Sequence, residues 1–281
     1  RVLFRSINNF GGFYRSWVYF NEARRCGANI KLPCVNKSEL KTCVHGKDIY
    51  IGFIHLSGLE TKIAENIVVE RERNGIFGSL EDFISRTLAT REQLVLLIRS
   101  GAFSFTGISK PQLLWQAHLY LNKEKPVEKP LALFKTPSRQ FSLPGLNSSL
   151  LEDAYDEMEL LGFPVSQSWF DMLQSPFRGQ IKAHEMLQHK GKSLRMLGTL
   201  VTIQSVWTKK REIMHFATFI ADLGNFFDTV HFPNSLYEYP FKGHGVYLLL
   251  GTLTDEFDYP SLQVQKMAKM PLKPDPRFGG K

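Results

Sequence analysis

The sequence predicts an α+β chain of several domains, helical in its first half and closing on a five-stranded β-barrel. Three observations carry that reading. Apolar residues recur at helical spacing through most of the first 121 positions, with Gly at helix ends. A Pro-rich, charged stretch starting at Asn122 interrupts the pattern. From Lys192 the spacing becomes alternation, in runs of strand length.

Each element follows from local chemistry. After the Gly11-Gly12 breaker, Trp17, Phe20, Ala23 and Cys26 form one helical face, and Gly27 ends it. Pro33 holds Leu32 extended, and Asp48 to Phe53 reads as a short strand. Ile63 and Ile67 mark a helix from Glu60 that closes at Asn74-Gly75. Ser79 caps a helix over Asp82 to Leu88. Thr90, with Gln93 three residues on, opens another from Glu92 to Ser100. Pro111 to Leu121 is the next. After the linker, Leu150, Leu151, Ala154, Met158 and Leu161 face a core, while Glu152, Asp153, Asp156, Glu157 and Glu159 are expected on a solvated side. Ile181 to His189 reads as a short, more basic helix.

The strands fall at Leu194–Val206, Ile213–Leu223, Phe226–Phe232, Gly245–Thr254 and Leu262–Met267, with Pro233 to Tyr239 as a short helix or loop between the third and fourth. Five strands with one insertion at that place match the small closed barrel called the OB-fold.

Leu96 to Phe103, LLIRSGAF, is the sharpest local signal. A Gly turn at this place suits a helix-hairpin-helix unit, in which Arg99, Ser100 and Gly101 meet a duplex phosphate. It equally suits an ordinary helical corner. An upstream turn at Gly58 has the same form, though Glu60 beside it repels phosphate if it points outward. In the barrel, the loop Trp207, Lys209, Lys210 and Arg211 precedes His215, Phe216 and Phe219. Cations beside strand-borne rings make a single-strand groove or a solvated hairpin. Gln140, Phe141 and Leu143 sit in the linker at the spacing of the short peptides that dock into sliding clamps, or serve as spacer alone.

Composition narrows the classes. The formal net charge is +8, compatible with a nucleic-acid partner. Three Cys are too few for a secreted disulfide framework, and no apolar run is long enough to span a bilayer, so a reducing, cytoplasmic setting with no membrane contact is expected. Cys26, Cys34, Cys43 and His45 lack zinc-site pairing, and no phosphate loop, nucleophile elbow or paired-carboxylate metal site stands out.

Taken in order, these motifs resemble the alpha subunit of bacterial DNA polymerase III, the C-family replicases. That family's E-A-R-x-x-G helix is matched by Glu22-Ala23-Arg24 and Gly27. Its P-x-V/I-N-x-S segment is matched by Pro33, Val35-Asn36 and Ser38. Its first hairpin is matched around Gly52 and Gly58, with Ser57 where the family has Lys and Glu60 where it has a second Gly. Arg71, Gly75, Phe77, Ser79-Leu80, Asp82-Phe83 and Arg86 follow, then Leu97-Ile98 with Gly101-Ala102-Phe103. Glu157, Glu159, Leu160 to Phe163 and Ser166 match the later helix, although the family's His-Pro is absent. Thr208 to Lys210, Met214, Phe216, Thr218 and Asp222 match its OB domain.

The resemblance implies the end of a fingers region at 1–46, a helix-hairpin-helix domain at 47–121, and a linker with a clamp peptide at 122–149. It implies connecting helices at 150–191, an OB-fold at 192–272 and a disordered tail at 273–281. It implies duplex and single-stranded DNA, the sliding clamp and other polymerase III holoenzyme subunits as partners. The parent would be a DNA-directed DNA polymerase whose palm carboxylates and Mg²⁺ lie outside these residues, so no catalytic residue, metal or cofactor is expected here. A stand-alone repair or RNA module and a non-DNA-binding adaptor are the alternatives.

Overall fold

The computed structural model describes residues 6–9, 12–121, 149–256 and 259–278. They divide between two compact units, Ala28–Ser166 and Arg1–Gly27 with Gln167–Lys281. Helix α1 (Ser16–Arg25) belongs to the second of these.

The unit Ala28–Ser166 begins with a small sheet that local pattern does not announce, because its strands are only three residues long. β1 (Asn29–Lys31) pairs parallel with β3 (Asp48–Tyr50), which pairs antiparallel with β2 (Cys43–His45). The strand expected to reach Phe53 stops at Tyr50, and Phe53–His55 is a turn of 3-10 helix. Gly52 sits against the backbone of the preceding loop, where an added Cβ would lie 2.3 Å from the Lys41 carbonyl carbon. Only a residue without a Cβ fits so close an approach of the two backbones.

Five helices follow: α2 (Thr61–Asn74), α3 (Leu80–Thr87), α4 (Arg91–Arg99), α5 (Lys110–Leu121) and α6 (Leu150–Leu161). The expected caps form. Ser79 accepts from the Asp82 amide and Thr90 from the Gln93 amide. Ser149 and Glu152 make a reciprocal capping box. Ile67, Phe77, Phe83, Leu94, Leu97, Ile98, Phe103 and Leu160 share one buried core. Each such side chain contributes roughly 1.5–3 kcal/mol on burial. Phe83 is its centre, edge-on to Phe77 at 5.0 Å and to Phe103 at 4.9 Å.

The acidic side of α6 is not solvated as expected. Asp156 and Glu157 are buried, and Asp153 pairs with Lys110 at 2.8 Å. Glu157 Oε2 accepts from the amides of Val165 and Ser166 at 2.6 and 2.9 Å, and from the Ser166 hydroxyl. Helical periodicity marks these carboxylates as polar, but they are buried because each meets a donor. The helices α5 and α6, on either side of residues 122–148, both lie in this unit.

In the other unit, β4 (Ser193–Trp207), β5 (Ile213–Ile220), β6 (Phe226–His231), β7 (Val246–Glu256) and β8 (Tyr259–Lys269) close in the order β4-β5-β6-β8-β7. β6 and β8 run parallel and the other pairs antiparallel, which is the OB-fold arrangement expected. A short helix, α7 (Pro233–Glu238), fills the insertion. Ala183–His189 is 3-10 rather than α-helical. Phe219, Phe227, Tyr247, Leu249, Leu262 and Val264 fill the barrel. α1 lays Val18 against Val201 and Ile220, and Asn21 donates to the Gly224 carbonyl at 3.1 Å. Gly224 has φ +80, and a Cβ there would come within 3.0 Å of the Asn21 amide oxygen. Among the described residues no helix is long and apolar enough to cross a membrane.

Candidate nucleic-acid interface

The helical unit presents two Gly turns that differ in what is left free. At the first, Gly58 is exposed with φ +81. The buried Gln93 spans the turn: its amide nitrogen donates to the Gly58 carbonyl at 3.1 Å, and its oxygen accepts from the Glu60 amide at 2.8 Å. The Ser57 amide donates to the Leu160 carbonyl. A shallow hollow beside the turn is lined by Gly58, Arg91, Glu92, Gln93, Val95 and Leu96. Arg91 and Lys62 are exposed, and neither has an ion pair among the described residues. Sequence reading passed over Gln93, Arg91 and Lys62. Gln93 registered only as the cap partner of Thr90.

At the second turn the groups expected to meet phosphate are engaged internally. Arg99 Nε donates to Asp156 at 2.9 Å, and its two Nη atoms fork onto Glu159 at 3.2 and 2.5 Å. Hydrogen bonds to Glu159 and then Asp156 push the guanidinium pKa up despite its burial. The Ser100 side chain is fully buried and donates to the Leu97 carbonyl at 2.9 Å. Gly101 is buried with φ +82, and the amides of Gly101 and Ala102 return to the carbonyls of Ile98 and Leu97. This turn is a packed corner, because α6 supplies the carboxylates that a phosphate would otherwise replace. Two arginines of the sequence motifs are structural as well. Arg71 donates to the carbonyls of Val35 and Ser38, and Arg86 to those of Glu70 and Gly75.

In the barrel, β4 and β5 run on together as a two-stranded ribbon. Trp207 pairs with Ile213, Ser205 with His215 and Gln204 with Phe216. Residues directly opposite share a face, so Trp207 and His215 lie on one side and Phe216 on the other. Trp207 is 69% exposed. Lys209, Lys210 and Arg211 at the tip are exposed and have no ion pair among the described residues. Arg211 takes φ +59, the left-handed region, with its amide donating to the Thr208 carbonyl. His215 is half-buried. Desolvation lowers its pKa, Ser205 lies 3.0 Å from its Nδ1, and its ring lies 6.0 Å from that of Phe241.

Phe219 departs from the expected groove. It has 0% exposure and stacks on Phe227 at 5.6 Å inside the barrel. Its position has the inward parity of Ala217, one step out of phase with Phe216. Phe232 follows β6 and is, like Phe216, about two-fifths exposed. Val230 lies directly opposite Phe216 across the β5–β6 ladder, and strand alternation carries Phe232 to the same outer face. Alternation counted from Phe216 could have found it. Gln140, Phe141 and Leu143 lie outside the described residues. Among the described residues no three His, Cys, Asp or Glu side chains converge to hold a metal.

The helix-hairpin-helix motif family matches residues 27–113. Over 235 residues the chain is 28% identical to the DNA polymerase III subunit alpha of Treponema pallidum (strain Nichols), covering 77% of this chain and 20% of that protein. Over 217 residues it is 27% identical to the corresponding subunit of Aquifex aeolicus (strain VF5), covering 75% and 18%. Over 108 residues it is 36% identical to an error-prone DNA polymerase of Mycobacterium bovis, covering 38% of this chain and 10% of that protein. The chain thus spans between 10% and 20% of the length of these curated relatives. With a helix-hairpin-helix region followed by a closed five-stranded barrel, the chain is similar to one segment of the alpha subunits of DNA polymerase III.

Proposed function

We propose that the chain acts as the carboxy-terminal, DNA-engaging segment of a replicative polymerase alpha subunit, working in the cytoplasm on the nucleoid. The observation that carries the reading is the exposed Gly58 turn, held from beneath by Gln93 and flanked by Lys62 and Arg91. The Ser57, Leu59 and Glu60 amides are engaged internally, so what the turn offers to one phosphate, without reading sequence, is the Gly58 amide together with the first amides and the favourable dipole of α2. Lys62 and Arg91 add charge, while Glu60 and Glu92 nearby keep the attraction modest.

The barrel ribbon takes single-stranded DNA in the same reading. Lys209, Lys210 and Arg211 track phosphates, while Trp207 or Phe216 stacks on a base. The linker residues Gln140, Phe141 and Leu143 tether the sliding clamp, a reading supported by their spacing alone.

Duplex binding measured by fluorescence anisotropy across a salt series tests the first part. Replacing Lys62 and Arg91 by Ala should flatten the salt slope by up to about two. An unchanged slope overturns duplex contact at this turn.

A further inference from the structure

The long strand β4 changes partners midway. Its first half pairs with β7 as far as Thr199 and Val246, and the Leu200 amide makes one last bond to the Gly245 carbonyl at 3.0 Å. Val201 falls at the register shift and packs on Val18 of α1, and from Thr202 to Trp207 the strand pairs with β5 alone. Among the described residues, the opposite edge of that half-strand has no pairing strand. The free edge is about 20 Å long at strand rise. Ile203 to Trp207 are all exposed along it.

Free edges normally carry a device against pairing: a charge, a Pro or a bulge. None interrupts Ile203 to Trp207. From Met196 through Thr208 the sequence has no charged residue and no Pro, and the only irregularity, between Leu200 and Thr202, precedes the exposed stretch. The exposed part is rich in the β-branched and aromatic types that favour strands: Ile203, Val206 and Trp207. Immediately beyond it stand Lys209, Lys210 and Arg211, exposed and without ion pairs among the described residues.

We propose that the free edge of β4 over Thr202–Trp207 takes an extended peptide of a partner protein as an added strand, with acidic residues of that peptide against Lys209, Lys210 and Arg211. A row of alternating N–H and C=O groups complements another peptide backbone. It does not complement a sugar-phosphate strand, whose oxygens the carbonyls repel. A second copy of this chain pairing through the same edge would leave the three cations beside the uncharged stretch around Leu200. The charge therefore favours an acidic peptide.

The test uses the full chain and a synthetic peptide of alternating Val and Thr ending in three Asp, followed by amide NMR. The expected result is perturbation confined to Thr202–Trp207 and the following loop, with cross-strand contacts between the two backbones. Combined Lys209→Glu and Lys210→Glu should weaken this peptide about tenfold and confer binding of the same peptide ending in three Lys. These positions lie outside the ladder, so the fold is untouched. Val206→Lys should weaken both peptides. The proposal is overturned if neither peptide perturbs these amides. It is also overturned if the peptide shifts only Lys209, Lys210 and Arg211, as oligothymidylate would, and leaves Ile203–Val206 unmoved. Concentration-dependent self-association that Val206→Lys abolishes would instead assign the edge to a second copy, and would equally overturn it.

Discussion

Arg99 and Asp156 meet with Nη2 2.7 Å from Oδ1, across a sequence separation of 57 residues, and this contact joins the second Gly turn to α6. The cation best placed by sequence to hold a phosphate already holds two carboxylates of its own chain. Its contribution is to stability.

Arg99→Ala should therefore destabilise the helical unit by roughly 1–3 kcal/mol, because it strands the buried Asp156 without its cation. Urea unfolding measures the loss. The salt slope of duplex binding should stay at the parent value. A slope lower by about one would return Arg99 to the DNA surface.

Glu157→Ala should cost more, about 2–4 kcal/mol, because two amides and a hydroxyl lose one charged acceptor in a fully buried place. Hydrogen exchange at Val165 and Ser166 should quicken by orders of magnitude while α2 stays protected. Uniform quickening would mean the whole unit unfolds rather than this corner.

Stability should fall on mild acidification. Burial lowers His55 from the ordinary 6.5 to about 4, and burial together with the neighbouring His215 lowers His231 to about 4. Both rings are then neutral when folded. Above pH 6.5 neither state is penalised. Between 6.5 and 4 only the unfolded chain takes up protons, so stability drops, by at most roughly 3 kcal/mol per ring, and then levels off. Thr229 gives its hydroxyl proton to the Ala217 carbonyl, so it accepts from His231 Nε2 at 2.8 Å. His231→Phe should flatten the barrel's share of the pH profile. An unaltered profile in that variant would place the acid sensitivity elsewhere.

The two phenylalanines of β5 should separate cleanly. Phe219→Ala empties the barrel core and should cost about 3–5 kcal/mol. Phe216→Ala should change stability little but weaken oligothymidylate by about 1–3 kcal/mol if a base stacks there. Equal loss of oligonucleotide affinity in both variants would point to unfolding rather than stacking.

The barrel was legible because alternation over Leu194–Val206 and the later strands is sustained, and because the one insertion falls between the third and fourth. Caps at Ser79 and Thr90 were legible for the same local reason. What the sequence concealed depends on partners distant in the chain. Periodicity labels Asp156 and Glu157 as polar but says nothing of Arg99 or of the Ser166 loop, which draw them inside. The strands β1 and β2 are too short to establish a period. On β5 the ring positions were read by proximity rather than parity, so Phe219 was grouped with Phe216, although the two point to opposite sides of the sheet. Gln93 looked like a cap residue, and only the fold shows that its side chain fastens Gly58 instead.

Because α5 and α6 both belong to the unit Ala28–Ser166, residues 122–148 leave and re-enter one body. The span is an excursion, and its length is uncoupled from the covalent path to the barrel, which runs on from Ser166. A cut anywhere within it leaves α6 fastened through Arg99, Lys110 and Leu160. This is where the chain can carry a grafted sequence, or lose its own, while the helical unit keeps its fold.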